Sequence, residues 1–207
     1  MSTIQPLSAA FMDTNTIRSL RSACLGEMHA RRLYLQCARH MEEASLYVVA
    51  HAFRFTAAQE KEHADVFRGL LVSHGGCSLP VAEDEPLLLP RDPAELLQSV
   101  IQNEQDEAST LYPFHARIAA EEGYPRIATA FRRIAETEQL HARRFRQYMK
   151  ALQEGSLFRD EAQVSWFCLP CGQLHTGQEA PESCSGCGRD QGHFIRSSYY
   201  PFAVGEG

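Results

Sequence analysis

Gln59-Glu60-Lys61-Glu62-His63, inside the stretch TAAQEKEHADVF (residues 56–67), decides how the chain is read. Its Glu-x-x-His pair returns as Glu138-Gln139-Leu140-His141 inside AETEQLHARRF (residues 135–145). Residues three apart on an α-helix share a face about one turn apart, so a carboxylate and an imidazole at that spacing can turn toward one point. A single such pair is the ordinary mark of a solvated helix face. Two pairs on separate helices can hold metal between them.

Outward from these pairs the chain keeps one design. A helix from about Thr14 to Met41 places Ile17, Leu20, Cys24, Glu27, Arg31, Tyr34, Ala38 and Met41 three or four apart. A second, from about Ala44 to His74, lines up Val49, Phe53, Thr56, Glu60, His63, Phe67 and Leu70, and Gly75-Gly76 ends it. The third has a clear start, with Asp92 as cap, Pro93 at the first helical position and Glu95 completing a capping box. Its face reads Leu97, Ile101, Glu104, Glu107, Leu111, Phe114 and Ile118; Pro113 should bend it or cost it a hydrogen bond, and Gly123 ends it. The fourth, from about Tyr124 to Gln153, carries Ile127, Phe131, Ile134, Glu138, His141, Phe145, Tyr148 and Leu152.

In each helix an acid or a histidine interrupts the middle of an apolar stripe. Uncompensated burial of Glu27, Glu60, Glu104, Glu107 and Glu138 would cost several kcal/mol per ion, so the fold needs cations among them. Carboxylates with two imidazoles suit iron or manganese, and ligand type alone leaves zinc open. One Glu on each of two helices and Glu-x-x-His on the other two is the layout of carboxylate-bridged two-metal bundles. The linker from Gly75 to Arg91, which includes the acidic, proline-rich SLPVAEDEPLLLPR, could reach about 56 Å when extended. That suffices to run back along helices about 45 Å long, and it also permits helix exchange between subunits.

Past Gly155 the helical period stops. Cys168-Leu169-Pro170-Cys171-Gly172 and Cys184-Ser185-Gly186-Cys187-Gly188 form two C-x-x-C pairs in a stretch too short to build its own core, so four thiolates around one tetrahedral metal are expected. The glycine after each pair lets the backbone wrap the sulfurs and aim amides at them. Spacing alone divides evenly between a redox iron and a structural zinc. The expected architecture is an all-α four-helix bundle over residues 1–155 and a small β metal-binding domain over residues 156–207. Cys24 and Cys37 read as packers, Cys77 has no partner at ligand spacing, and His115 and His193, among other histidines, read as surface or hairpin residues. Tyr34 and Tyr112 lie near enough to the acids for a phenol to bond a metal-bound carboxylate.

The formal net charge of the 207 residues is −6 and the basic residues are scattered, which argues against nucleic acid or an anionic membrane as partner. No apolar run reaches the length of a membrane span, and the N-terminus lacks a signal-peptide pattern, so a cytoplasmic protein is expected.

Five ordered motifs resemble the rubrerythrin family: LGEMHARRLY (residues 25–34), TAAQEKEHA (56–64), NEQDEASTLYPFHARIAAEEGY (103–124), FRRIAETEQLHARRF (131–145) and WFCLPCGQLHTGQEAPESCSGCG (166–188). The resemblance implies a ferritin-like di-iron bundle with a rubredoxin-like domain. It makes Glu27, Glu60, Glu104, Glu107, Glu138 and His141 ligands of two non-haem irons, and His63 the ligand that replaces Glu107 on one iron upon reduction. It makes Tyr34 and Tyr112 partners of the ligating carboxylates, and it tips Cys168, Cys171, Cys184 and Cys187 toward iron over zinc. It further implies a peroxidase that reduces hydrogen peroxide to water, an electron supply through rubredoxin or an NADH-dependent reductase, and a head-to-tail homodimer. Rival readings are ferrous-iron oxidation and storage, and a non-enzymatic scaffold with a structural zinc ribbon.

Overall fold

The computed structural model describes residues 14–75 and 88–199. Helix α1 (Asn15–Glu43) and α2 (Tyr47–Ser73) form one hairpin. Helix α3 (Pro93–Asp106), a π-helical turn (Glu107–Leu111), α4 (Tyr112–Glu121) and α5 (Pro125–Gln153) form the other. The helical stripes pack into a four-helix bundle, as expected. The arm before Thr14, most of the crossover linker and Cys77 lie outside the described residues.

Local signals place the helix ends. Asp92 Oδ1 accepts from the amides of Ala94 and Glu95, each at 2.9 Å, ahead of Pro93. Thr14 Oγ1 caps α1 by accepting from Ile17 N at 3.3 Å. Glu122, in the α4–α5 hairpin, adds a cap from far along the chain: its carboxylate accepts from Asn15 N at 3.0 Å and Thr16 N at 2.8 Å. The second helix starts at Tyr47 rather than Ala44, because Ser45 turns left-handed (φ 58°) to close the hairpin.

The third helical segment departs most from expectation. Pro113 has no amide to give to an α-helical carbonyl, and the chain meets this with a π turn in which Tyr112 N–H reaches back to Glu107 O. That turn holds one extra residue, so the buried face advances by one position. Leu111 and Phe114 are 39% and 48% exposed, while Tyr112, His115, Ala116 and Ala119 are buried. His115 is thus a core residue rather than a surface one.

The bundle core is split. One apolar layer gathers Ile17, Leu20, Phe67, Leu71, Tyr112, Ile127 and Phe131; the other gathers Tyr34, Met41, Val49, Phe53, Leu97, Ile101 and Phe145. The acids and histidines of the predicted rows lie on the helical turns between them. Cys24 and Cys37 are packed in these layers, as expected.

A three-stranded antiparallel sheet follows: β1 (Arg159–Cys168), β2 (Leu174–Glu179) and β3 (Phe194–Arg196), with β1 central. Trp166 is fully buried and donates Nε1–H to Gly177 O at 3.0 Å. Ile195, Phe167 and Leu169 extend the second apolar layer of the bundle, so the β unit closes the end at the α1–α2 hairpin. At that junction Gly192 runs against Ser45, where an added Cβ would meet Ser45 O at 2.0 Å. His193 is also buried rather than superficial, since its ring stacks on Tyr47 with centroids 3.8 Å apart.

Candidate metal centres

Between the two apolar layers, four helices bring their acids and histidines to two adjoining points. One point is surrounded by Glu27, Glu60, His63 and Glu138, the other by Glu60, Glu104, Glu138 and His141; in each set the ligand atoms lie within 4.8 Å of one another. Glu60 and Glu138 belong to both and would help to hold both ions of a pair. Each histidine turns Nδ1 inward. His63 Nδ1 lies 2.9 Å from Glu138 and 3.2 Å from Glu60; His141 Nδ1 lies 2.7 Å from Glu138, 3.0 Å from Glu60 and 3.4 Å from Glu104.

These short distances do not satisfy the groups. Glu27 Oε2, Glu60 Oε1, Glu104 Oε2, both oxygens of Glu138 and His141 Nδ1 are buried without a hydrogen-bond partner. Their lone pairs converge on common points rather than on each other's protons, which is how ligands stand around an ion and costs heavily without one. The field of the site tells the same story. Burial alone would push His63 and His141 down, yet the nearby carboxylates of Glu138, Glu27 and Glu60 raise His63 to about 12, and those of Glu104, Glu138 and Glu60 raise His141 to about 11. Burial raises Glu27 well above the carboxylate range and Glu104 to about 7, whereas His141 and His63 overcome burial at Glu60 and bring it to about 2. The site demands positive charge at its centre. Two metal ions held by these oxygens and two imidazoles fit that demand, and the donor set suits a di-iron centre.

Glu107 stands outside both sets. It opens the π turn, and burial together with the charges of Glu104, Glu138 and Glu60 pushes it up to about 8. Of the two residues that the resemblance implies as alternatives, His63 lies within one of the clusters and Glu107 within neither.

The two tyrosines cross over. Tyr34 on α1 donates to Glu104 Oε1 of α3 at 2.5 Å, and Tyr112 of α4 donates to Glu27 Oε1 of α1. Gln59, within the opening stretch, received no role from the sequence, yet its Oε1 lies 3.1 Å from His141 Nε2. It sits one residue off the ligand row, where periodicity gives no signal.

At the β unit, Cys168, Cys171, Cys184 and Cys187 form one cluster, with Cys168 and Cys184 buried and Cys171 and Cys187 exposed. Sulfur separations of 3.7 Å (Cys168–Cys187) and 3.6 Å (Cys171–Cys184) are close to the edge of a tetrahedron with metal–sulfur bonds of about 2.3 Å, about 3.8 Å. Gly172 and Gly188 take positive φ, 77° and 74°, so that each knuckle can close, with their amides on Cys168 O and Cys184 O at 2.8 Å. At Cys184 burial acts against ionisation, but His175 Nε2 at 3.6 Å and the amides of Gly186 and Cys187 outweigh it and bring the thiol to about 6. Thiolate is the ligand form. The cluster matches a rubredoxin-type iron site.

Fold and sites together define a ferritin-like metal-carboxylate bundle joined to a four-cysteine metal domain. Comparison with known proteins agrees: the Rubrerythrin family model matches residues 19–149, and that for the rubrerythrin rubredoxin-like domain matches residues 166–195. The rubrerythrin of Clostridium perfringens is 35% identical over 182 residues, covering 87% of this chain and 93% of that one. That of Porphyromonas gingivalis is 33% identical, covering 91% and 92%. Nigerythrin, solved in its fully reduced, all-ferrous state, superimposes with a TM-score of 0.61 at 25% identity over 94% of each chain. The chain belongs to the rubrerythrin family. No described helix is long and apolar enough to cross a membrane.

Proposed function

We propose that the protein is a peroxidase that reduces hydrogen peroxide to two water molecules, consuming two protons and two electrons. Bound iron would supply the electrons and the Lewis acidity at the oxygens of the peroxide. Glu27, Glu60, Glu104, Glu138, His63 and His141 hold the pair, Tyr34 and Tyr112 fix two of the carboxylates, and Glu107 stands as the alternative ligand to His63. In this reading residues 1–155 carry the reaction and residues 156–207 deliver electrons from a rubredoxin or an NADH-dependent reductase through the four-cysteine iron.

The observation that carries the proposal is that the chain holds both His63, inside one ligand cluster, and Glu107, next to the acids but outside both clusters. A protein built only to bind metal has no use for a seventh candidate ligand held half-buried next to a complete set; one that cycles between charge states does, because a carboxylate favours the higher state and a neutral imidazole the lower. Reduced protein given peroxide and NADH with a reductase should turn over steadily with constant iron content. Net accumulation of ferric iron would instead mark iron oxidation and storage, and a colourless protein carrying only zinc would overturn the redox reading altogether.

The β unit docks at Ser45, which is eighteen positions from Glu27 and fifteen from Glu60 in the chain, about 23–27 Å of helix. That length favours electron delivery from a second copy placed head to tail over delivery within one chain.

A further inference from the structure

We infer that Gln59 and Arg144 form a latch that fixes His141, and with it the second metal, and that His63 lacks a latch of this kind. The inference rests on the reading that the two carboxylate–histidine sets bind metal. Its starting point is a chain of three groups leading outward from the centre. Gln59 Oε1 lies 3.1 Å from His141 Nε2 and 3.2 Å from Arg144 Nη1, and Arg144 Nη1 also reaches Thr56 Oγ1 at 2.8 Å.

The chemistry of this chain runs in one direction. A guanidinium can only donate, so the Gln59 atom it meets must be the carbonyl oxygen and not the amide nitrogen. That oxygen can only accept, so the His141 nitrogen facing it must carry the proton. In the neutral imidazole that binds metal, Nε2–H makes Nδ1 the nitrogen with the lone pair, and Nδ1 is the one that faces Glu60, Glu104 and Glu138. Arg144 thus sets the orientation of an amide, the amide sets the tautomer, and the tautomer sets the ligand. Arg144 is itself held, its guanidinium lying 4.9 Å over the ring of Phe55.

His63 has no such support. Its Nδ1 faces the acids as that of His141 does, but among the described residues no group hydrogen-bonds its far nitrogen, and 11% of its side chain is exposed against none of His141's. Two imidazoles from matching Glu-x-x-His pairs are therefore unequal: one is tethered on both sides of its ring, the other only on the side facing the acids. Gln59 and Arg144 act as positioning residues and touch no substrate.

Anaerobic titration of apoprotein with ferrous iron tests the latch. Gln59→Leu should weaken one of two ferrous sites about 10- to 100-fold, with the thermal midpoint of the apoprotein unchanged, whereas Gln59→Glu, which keeps an acceptor for both donors, should bind like wild type. Arg144→Ala should weaken the same site and Arg144→Lys restore it, and these surface-side changes answer the question if Gln59→Leu does not fold. Wild-type affinity at both sites in a folded Gln59→Leu or Arg144→Ala protein would overturn the latch alone. Failure of the wild-type protein to bind ferrous iron would overturn the metal reading and the latch together.

Discussion

Tyr34 Oη lies 2.5 Å from Glu104 Oε1, joining residues 70 positions apart in the chain. The phenol is fully buried, and burial with the nearby charge of Glu104 raises it well above the usual tyrosine range, so it stays a donor. With one oxygen of Glu104 fixed, the other is left for metal. Tyr34→Phe removes a hydrogen bond to a charged group, worth about 1.5–3 kcal/mol. The expected result is a fall of about tenfold or more in ferrous affinity at the His141 site, read by anaerobic titration, beyond any loss of apoprotein stability read separately by urea titration. Unchanged affinity would reduce Tyr34 to a packing residue.

Much of this site was legible in the sequence because its ligands obey the helical period. Glu27, Glu60, Glu138 and His141 interrupt stripes whose apolar members are buried, and the four cysteines carry their own spacing. What was not legible depends on chain that is distant or out of phase. The π turn after Asp106 adds a residue, and no composition rule counts it, so Leu111 and Phe114 exchange places with Tyr112 and His115. His193 is buried by Tyr47, about 146 positions away in the sequence, through a close approach that requires glycine at 192. The tyrosines cross between helices, which their distance from the nearest glutamate along the chain could not reveal.

His63→Ala and Glu107→Ala should separate by oxidation state. With Glu107 outside both ligand sets, its loss should leave ferrous binding intact and lower the iron retained after oxidation. His63→Ala should do the reverse, keeping iron in the oxidised protein while slowing peroxide turnover about 10- to 100-fold, the scale on which ligand-support changes act. Iron content after gel filtration, measured on anaerobically reduced and on air-oxidised samples, checks both arms. Equal behaviour of the two variants would remove the exchange of ligands.

Glu122 ties the α4–α5 hairpin to the start of α1. Burial opposes its ionisation, but hydrogen bonds from Thr16 and Asn15 outweigh that and hold its carboxyl below the usual range. A carboxylate whose pKa is depressed in the folded state stabilises it fully above the unfolded value, about 4.3, and this contribution fades as pH falls through the folded value. Glu122→Ala should therefore cost about 0.5–2 kcal/mol near neutrality, the usual range for a lost N-cap. The gap to wild type should close as pH drops below about 4. Urea titrations of the apoprotein at several pH values measure it; a pH-independent gap would mean that Glu122 acts through packing.

Two variants mixed in one solution can decide where electrons cross. Cys184→Ser removes a ligand of the four-cysteine site, and Glu60→Gln removes a carboxylate shared by both sets of the bundle while keeping its shape. Each variant alone should fail in NADH-linked turnover, though Cys184→Ser should still consume peroxide once its di-iron centre is chemically reduced. If delivery runs head to tail between chains, unfolding and refolding the two together yields heterodimers that pair one intact four-cysteine unit with one intact bundle centre across the interface. About half the chains of a statistical mixture then sit in such heterodimers, and each restores one working relay, so activity should return to about a quarter of wild type. Transfer within a chain predicts none, because every chain lacks one half of its own path. The length of helix between the turn at Ser45 and the ligands Glu27 and Glu60 favours the first outcome.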